Sequence, residues 1–226
     1  MVEATAARRT GLLHRMLVVR RLEQRLMRAV PVGDEAVAIG LLSVLGPQDA
    51  VVSAGVRPWH AVGAAALLFG GDVTNAPDPA EAVAAARRKA GAGGCRIVAV
   101  CIPGDDLAGA TLAPPACAGL PVLFCRGEHL VAAGRSPVVS VLSADSADVE
   151  AIAGAAATEV GELRTGAGPC LLGLRAPAAD VDPVELLATR MRTDHQLDDN
   201  ALRAIGRAAA ARAEEVLERL GATRAP

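Results

Sequence analysis

Apolar positions along the chain follow two periods. From Gly11 to Val30, Leu12, Met16, Val19, Leu22, Leu26 and Val30 recur at helical spacing with Arg and Glu between them. That pattern predicts an amphipathic helix, which Pro31 stops. Residues 1–10 read as a loose lead-in, and a second helix is expected from Gly33 to Leu45, its amino terminus suited by Asp34 and Glu35. Strand-length apolar runs occupy Ala50–Ala54, Ile97–Ile102, Val122–Cys125, Pro137–Leu142 and Cys170–Leu174. Continuous runs of this kind suit strands buried on both faces, as in a parallel sheet. Further helices are expected over 61–69, over 80–90, and from about Asp148 to Leu163 behind a cap at Asp145 or Ser146. Asp182 and Pro183 open a short helix, and Asp198 caps a long terminal one over 198–220 with Leu202, Ile205, Ala209 and Val216 on one face. Residues 70–79 read as a loop; Gly46–Asp49 and Gly166–Pro169 read as turns. At least five strands alternating with helices predict an α/β class. With no internal repeat and no linker long enough to divide it, the chain reads as one domain over 1–226.

Composition narrows the partners. Of 226 residues, 52% are hydrophobic and 21% charged, so the chain is globular rather than disordered. A net charge of −2 with no basic block argues against nucleic acid. The five cysteines form no Cys-x-x-Cys pair, which argues against structural zinc and for buried free thiols in a reducing cytosol. The amino terminus lacks the apolar core of a signal peptide, and no apolar run is long enough to span a bilayer; a cytoplasmic protein off the membrane is expected. With 1% aromatic residues, the core must be built of small aliphatics, and some apolar surface is expected to meet a partner.

Candidate chemistry sits where strands end. Gly104-Asp105-Asp106 follows the run Ile97–Ile102. A Gly-Asp turn there can hold a divalent cation through its carboxylate, while backbone N–H groups of the next helix face a phosphate; more often such a sequence is a plain turn. Arg57 follows Ala50–Ala54 and suits a phosphate through its bidentate fork, or a surface ion pair. His60 is a candidate proton donor, or a packed histidine beside Trp59. Gly91–Gly94 precedes a strand rather than following one, so it is no phosphate fingerprint. An α/β enzyme of another kind could use Asp105 and His129 as a metal or acid/base pair.

Several stretches resemble one family. LPVLFCRGEH (Leu120–His129), the strand running into Gly104-Asp105, the helix LLHRMLVVRRLEQ and Gly33-Asp34-Glu35-Ala36 together resemble the alpha subunits of thiamine diphosphate-dependent 2-oxo acid dehydrogenase first components. The resemblance implies the thiamine diphosphate-binding fold, a parallel sheet with helices on both faces. It implies an alpha-type subunit that binds thiamine diphosphate and Mg, works with a beta-type subunit in a heterotetramer, and passes its acyl group to a lipoyl acyltransferase. Residue by residue, it puts Gly104, Asp105, Asp106 and Arg57 at the cofactor, Asp105 and His129 at the metal, and His60 in a catalytic turn. The chain departs from the family at Asp106 (Gly in the family), His129 (Asn) and Val56 (Tyr), and shortens the loops around the cofactor. Those departures imply an alternative: a degenerate alpha-like subunit that stabilises a beta-like partner without binding cofactor.

Overall fold

The computed structural model of the chain describes residues 2–26, 34–54, 72–92, 97–102, 117, 119–127, 140–175 and 181–222. Along them run α1 (Val2–Leu26), α2 (Asp34–Leu42), β1 (Ala50–Ala54), β2 (Asp72–Ala76), α3 (Pro79–Gly91), β3 (Val98–Ile102), β4 (Val122–Gly127), β5 (Ser140–Asp145), α4 (Val149–Arg164), β6 (Cys170–Arg175), α5 (Pro183–Thr193) and α6 (Asp199–Ala222). The strands form one sheet in the order β2-β1-β3-β4-β6-β5, each neighbouring pair parallel.

Side chains alternate across the strands and so divide the apolar runs between two cores. Ala99, Cys101, Leu123, Cys125 and Leu172 face the core covered by α2 and α4, with α1 and α5 outside them. Val52, Val98, Val100, Val122 and Phe124 face the core covered by α3 through Ala82, Ala85 and Ala86. Helices therefore lie on both faces, and the expected α/β class with a parallel sheet holds. Small residues set the helix spacing: a Cβ on Gly40 of α2 would meet Ile152 Cγ2 of α4 at 2.7 Å. On α1, Leu12, Leu13, Met16 and Val19 enter the first core, while Val18 and Leu22 meet Ala209 and Ala213 of α6.

Some sequence expectations shift. Residues 70–79 contain β2, a polar edge strand rather than a loop. The lead-in is already helical, since α1 starts at Val2. α2 ends at Leu42 rather than Leu45. Asp148, not Asp145 or Ser146, caps α4. β5 is placed at Ser140–Asp145, later than 137–142. The helix expected over 61–69 lies outside the described residues. Cys101, Cys117, Cys125 and Cys170 are buried free thiols as expected. Val181 is the exposed large hydrophobic among the described residues, so the apolar excess there is spent on the core. No helix among the described residues is long and apolar enough to cross a membrane.

Candidate functional site

The strand order reverses between β1 and β3. From β1 the chain continues to β2 on one side, and from β3 to β4 on the other. Such a switch opens a crevice at the carboxyl ends of the two strands, where ligands bind in open α/β sheets. The register aligns these ends: Ser53 pairs with Cys101, and Ile102 with Arg126. Three of the segments singled out in the sequence leave from this row. Arg57 and His60 follow β1, Gly104, Asp105 and Asp106 follow β3, and His129 follows β4 by two residues. Those six residues lie outside the described ones. What the structure supplies is the adjacency of the three strand ends from which they continue.

The same edge gathers the amino termini of α3, α4 and α5, and an aspartate caps each. Asp78 Oδ1 accepts from Glu81 N at 2.8 Å at the start of α3. Asp148 Oδ1 accepts from Glu150 N at 3.1 Å and Ala151 N at 3.0 Å at the start of α4. Asp182 Oδ1 accepts from Val184 N at 2.8 Å and Glu185 N at 3.3 Å at the start of α5. An unsatisfied helix amino terminus binds anions; here one or two N–H groups of each of these three helices already have a carboxylate partner. Arginines hold two of the caps. Arg190 Nη2 donates to Asp148 Oδ2 at 2.7 Å. Arg20 donates to both oxygens of Asp182 and also binds the buried carboxylate of Glu35 in α2. Burial pushes the Asp148 and Asp182 carboxyls up, but hydrogen bonds from Arg190 and Arg20 and from the helix N–H groups outweigh it, so both lie below the usual value of 3.8. These caps stay ionised and occupied at neutral pH. No cluster of three or more His, Cys, Asp or Glu stands ready for a metal among the described residues.

The opposite edge carries different chemistry. Asp49, fully buried, accepts from Gly46 N at 2.7 Å, Ile97 N at 3.1 Å and Arg164 Nη2 at 2.9 Å. It ties the turn before β1 to the entry of β3 and the end of α4. Beside it is a cleft of about 430 Å³ lined by Gly119, Pro121, Leu163, Arg164, Gly166 and Ala167. This cleft stands at the amino ends of the strands, away from the segments that carry the candidate chemistry.

Sequence reading found Asp182 but missed the caps at Asp78 and Asp148. The local signals were present: Asp78 precedes Pro79, which sits in the first turn of α3, and Asp148 precedes Val149-Glu150.

No family model and no curated protein matches the chain. Among solved structures, it resembles 2-oxoglutarate:ferredoxin oxidoreductase from Magnetococcus marinus with 2-oxoglutarate, coenzyme A and succinyl-CoA bound. The match has a TM-score of 0.50 and 19% sequence identity, and it covers 64% of this chain. The chain spans 28% of the length of that oxidoreductase chain. At this identity the likeness shows a shared fold.

Proposed function

We propose that the chain is an alpha-type subunit of a thiamine diphosphate-dependent 2-oxo acid dehydrogenase or decarboxylase, acting with a beta-type subunit. One observation carries the reading: the carboxyl ends of β1, β3 and β4 stand side by side at the switch point, and the segments bearing Arg57, Gly104-Asp105-Asp106 and His129 follow from them. The fold shared with an oxidoreductase of a 2-oxo acid supports the same class. In this reading Asp105 ligates Mg, His129 lies beside the metal, Arg57 faces the diphosphate and His60 serves as a proton donor. Thiamine diphosphate, when bound, supplies the carbanion chemistry of decarboxylation. The chain's own part is to bind and orient. Imidazole is a softer ligand than the amide oxygen it replaces, so His129 shifts the preference from Mg toward a softer divalent ion. The beta-type subunit completes the site, the assembly is a heterotetramer in the cytoplasm, and a lipoyl acyltransferase is the acyl acceptor.

A second reading is favoured by a separate observation. With the amino termini of α3, α4 and α5 already engaged by Asp78, Asp148 and Asp182, diphosphate binding in this reading falls to the segments that carry Val56, Asp106 and His129. A second carboxylate at Asp106 repels a diphosphate unless a cation lies between them. The alternative is a non-catalytic alpha-like subunit that stabilises a beta-like partner. Native mass spectrometry of the complex purified from its own cells separates the readings. A beta-type chain with bound cofactor supports the enzyme, a beta-type chain without cofactor supports the scaffold, and a lone chain overturns both.

A further inference from the structure

We infer that Cys101 and Cys125 are an oxidative modification site, a dithiol that closes to a disulfide across β3 and β4 when exposed to a peroxide. The two residues are register partners on adjacent parallel strands. Both side chains enter the same core, where they are 0% and 1% exposed. Neighbouring strands lie about 4.8 Å apart. That spacing falls within the roughly 4.4–6.8 Å between Cα atoms that a disulfide bridges. Closure therefore needs side-chain rotation and a small approach of the two Cβ atoms to within about 4.5 Å, not separation of the strands.

The other described cysteines lack such a partner. Cys117 lies in the opposite core. Cys170 pairs in register with Leu123 and Ser140. Cys101 is the penultimate residue of β3, and Cys125 stands two before the end of β4. The bond would fasten the two central strands just beneath their carboxyl edge. It would also close a covalent loop around Gly104, Asp105 and Asp106.

The chemistry balances with one peroxide per pair. One sulfur, as thiolate, attacks a peroxide oxygen; the O–O bond breaks, leaving a sulfenic acid and one water. The second sulfur then attacks the sulfenic sulfur, the S–S bond forms, and its oxygen leaves as the second water. Two thiols are oxidised by two electrons in all, and the peroxide is reduced. Hydrogen bonding to Cys125, with burial, holds the Cys101 thiol well above its ordinary value, so the first step is slow and waits on local opening of the strand ends. Hydrogen peroxide is small enough to enter during such openings, whereas bulky thiol reagents are not.

The test is peptide mapping of the native chain after hydrogen peroxide, with alkylation of the remaining thiols in denaturant. The expected result is loss of two of the five thiols, a Cys101–Cys125 cross-linked peptide, and full return of both thiols with dithiothreitol. The same treatment in urea should give mixed pairings, because the register that selects the pair is gone. Cys101→Ala and Cys125→Ala should each keep all four remaining thiols. A native cross-link between other cysteines would overturn the proposal. So would separate sulfinic acids at Cys101 and Cys125, or an unchanged thiol count at peroxide levels that oxidise the methionines.

Discussion

Arg20 of α1 grips the carboxylate of Asp182 with two nitrogens, at 3.0 and 2.7 Å, while that carboxylate caps α5. Eleven residues earlier on α1, Arg9 binds Asp194, which closes the other end of α5. Eleven residues is close to three helical turns, so both arginines leave the same face of α1. The two helices thus lie antiparallel and are tied at both ends. Arg20 also neutralises Glu35, which is 1% exposed.

Arg20→Ala should therefore cost about 3–5 kcal/mol, because it removes the guanidinium that pairs with the buried Glu35 carboxylate and with the Asp182 cap. Arg25 and Glu214 form a pair on the surface, and Arg25→Ala should cost under about 1 kcal/mol. Urea unfolding of the two variants gives the comparison. Equal losses would remove Arg20 as the anchor of the helical layer.

Gly40 is required by contact rather than by backbone angle. A Cβ there would lie 2.7 and 2.8 Å from the Ile152 side chain and 3.2 Å from Val149 O. Gly40→Ala should destabilise by about 1–3 kcal/mol, the usual range for overpacking. Adding Ile152→Ala should give a double variant less destabilised than the sum of the two changes, since the two positions touch. Strict additivity would show that α2 and α4 do not meet at this point.

Two helices end in the same way with different residues. At the end of α4, Gly166 N donates to Leu163 O and Ala167 N to Glu162 O, with Gly166 at φ +91°. At the end of α5, His195 N donates to Arg192 O and Gln196 N to Met191 O, with His195 at φ +56°. The left-handed position favours glycine. His195→Gly should raise stability by about 0.5–1 kcal/mol, and Gly166→Ala should lower it by about 1 kcal/mol. Thermal melts of both variants check the signs.

The thiols set the alkaline limit. Burial, with Glu159 against it, pushes the Cys170 thiol from 9.0 to about 12. The Cys101 thiol is raised too, by its hydrogen bond to Cys125 and by burial, and Cys117 is raised by burial. The folded chain holds these protons more tightly than the unfolded one. Their contribution is complete below about pH 9 and is lost as pH rises toward 12. The depressed Asp148 and Asp182 carboxyls act in the opposite direction: their contribution is present above about pH 3.8 and is lost as pH falls below it. Urea midpoints measured at pH 3, 7 and 10.5 should be highest at pH 7. A midpoint at pH 10.5 equal to that at pH 7 would contradict the thiol account.

What the sequence disclosed follows from burial. The runs Val98–Cys101 and Val122–Cys125 are legible because both faces are buried and each run is continuously apolar. The edge strand Asp72–Ala76 is half-exposed and reads DVTNA, so its polarity passed for a loop. The first turns of α1 lack an apolar stripe and are held instead by Arg9 through Glu150 and Gln196, partners more than a hundred residues away. Asp49 read as an ordinary turn residue for the same reason, since its tie to Arg164 spans 115 residues. At the candidate site, the strand ends were legible from the apolar runs. The caps at Asp78 and Asp148 carried local signals, but their gathering at one edge was not legible, because it depends on which helices the topology brings there.

Calorimetric titration of thiamine diphosphate with Mg into the natively purified complex tests the functional account most directly, run beside the chain alone and a complex carrying Asp105→Ala. The account predicts micromolar or tighter binding by the complete complex and weak or absent binding by the chain alone. It also predicts loss of binding in Asp105→Ala with the assembly intact. The changes at Val56, Asp106 and His129 set the expectation for the isolated chain: each lost hydrogen bond to a charged group weakens binding by roughly 1.5–3 kcal/mol. No binding by the intact wild-type complex, or binding unchanged in Asp105→Ala, would contradict the cofactor site and leave the scaffolding role in its place.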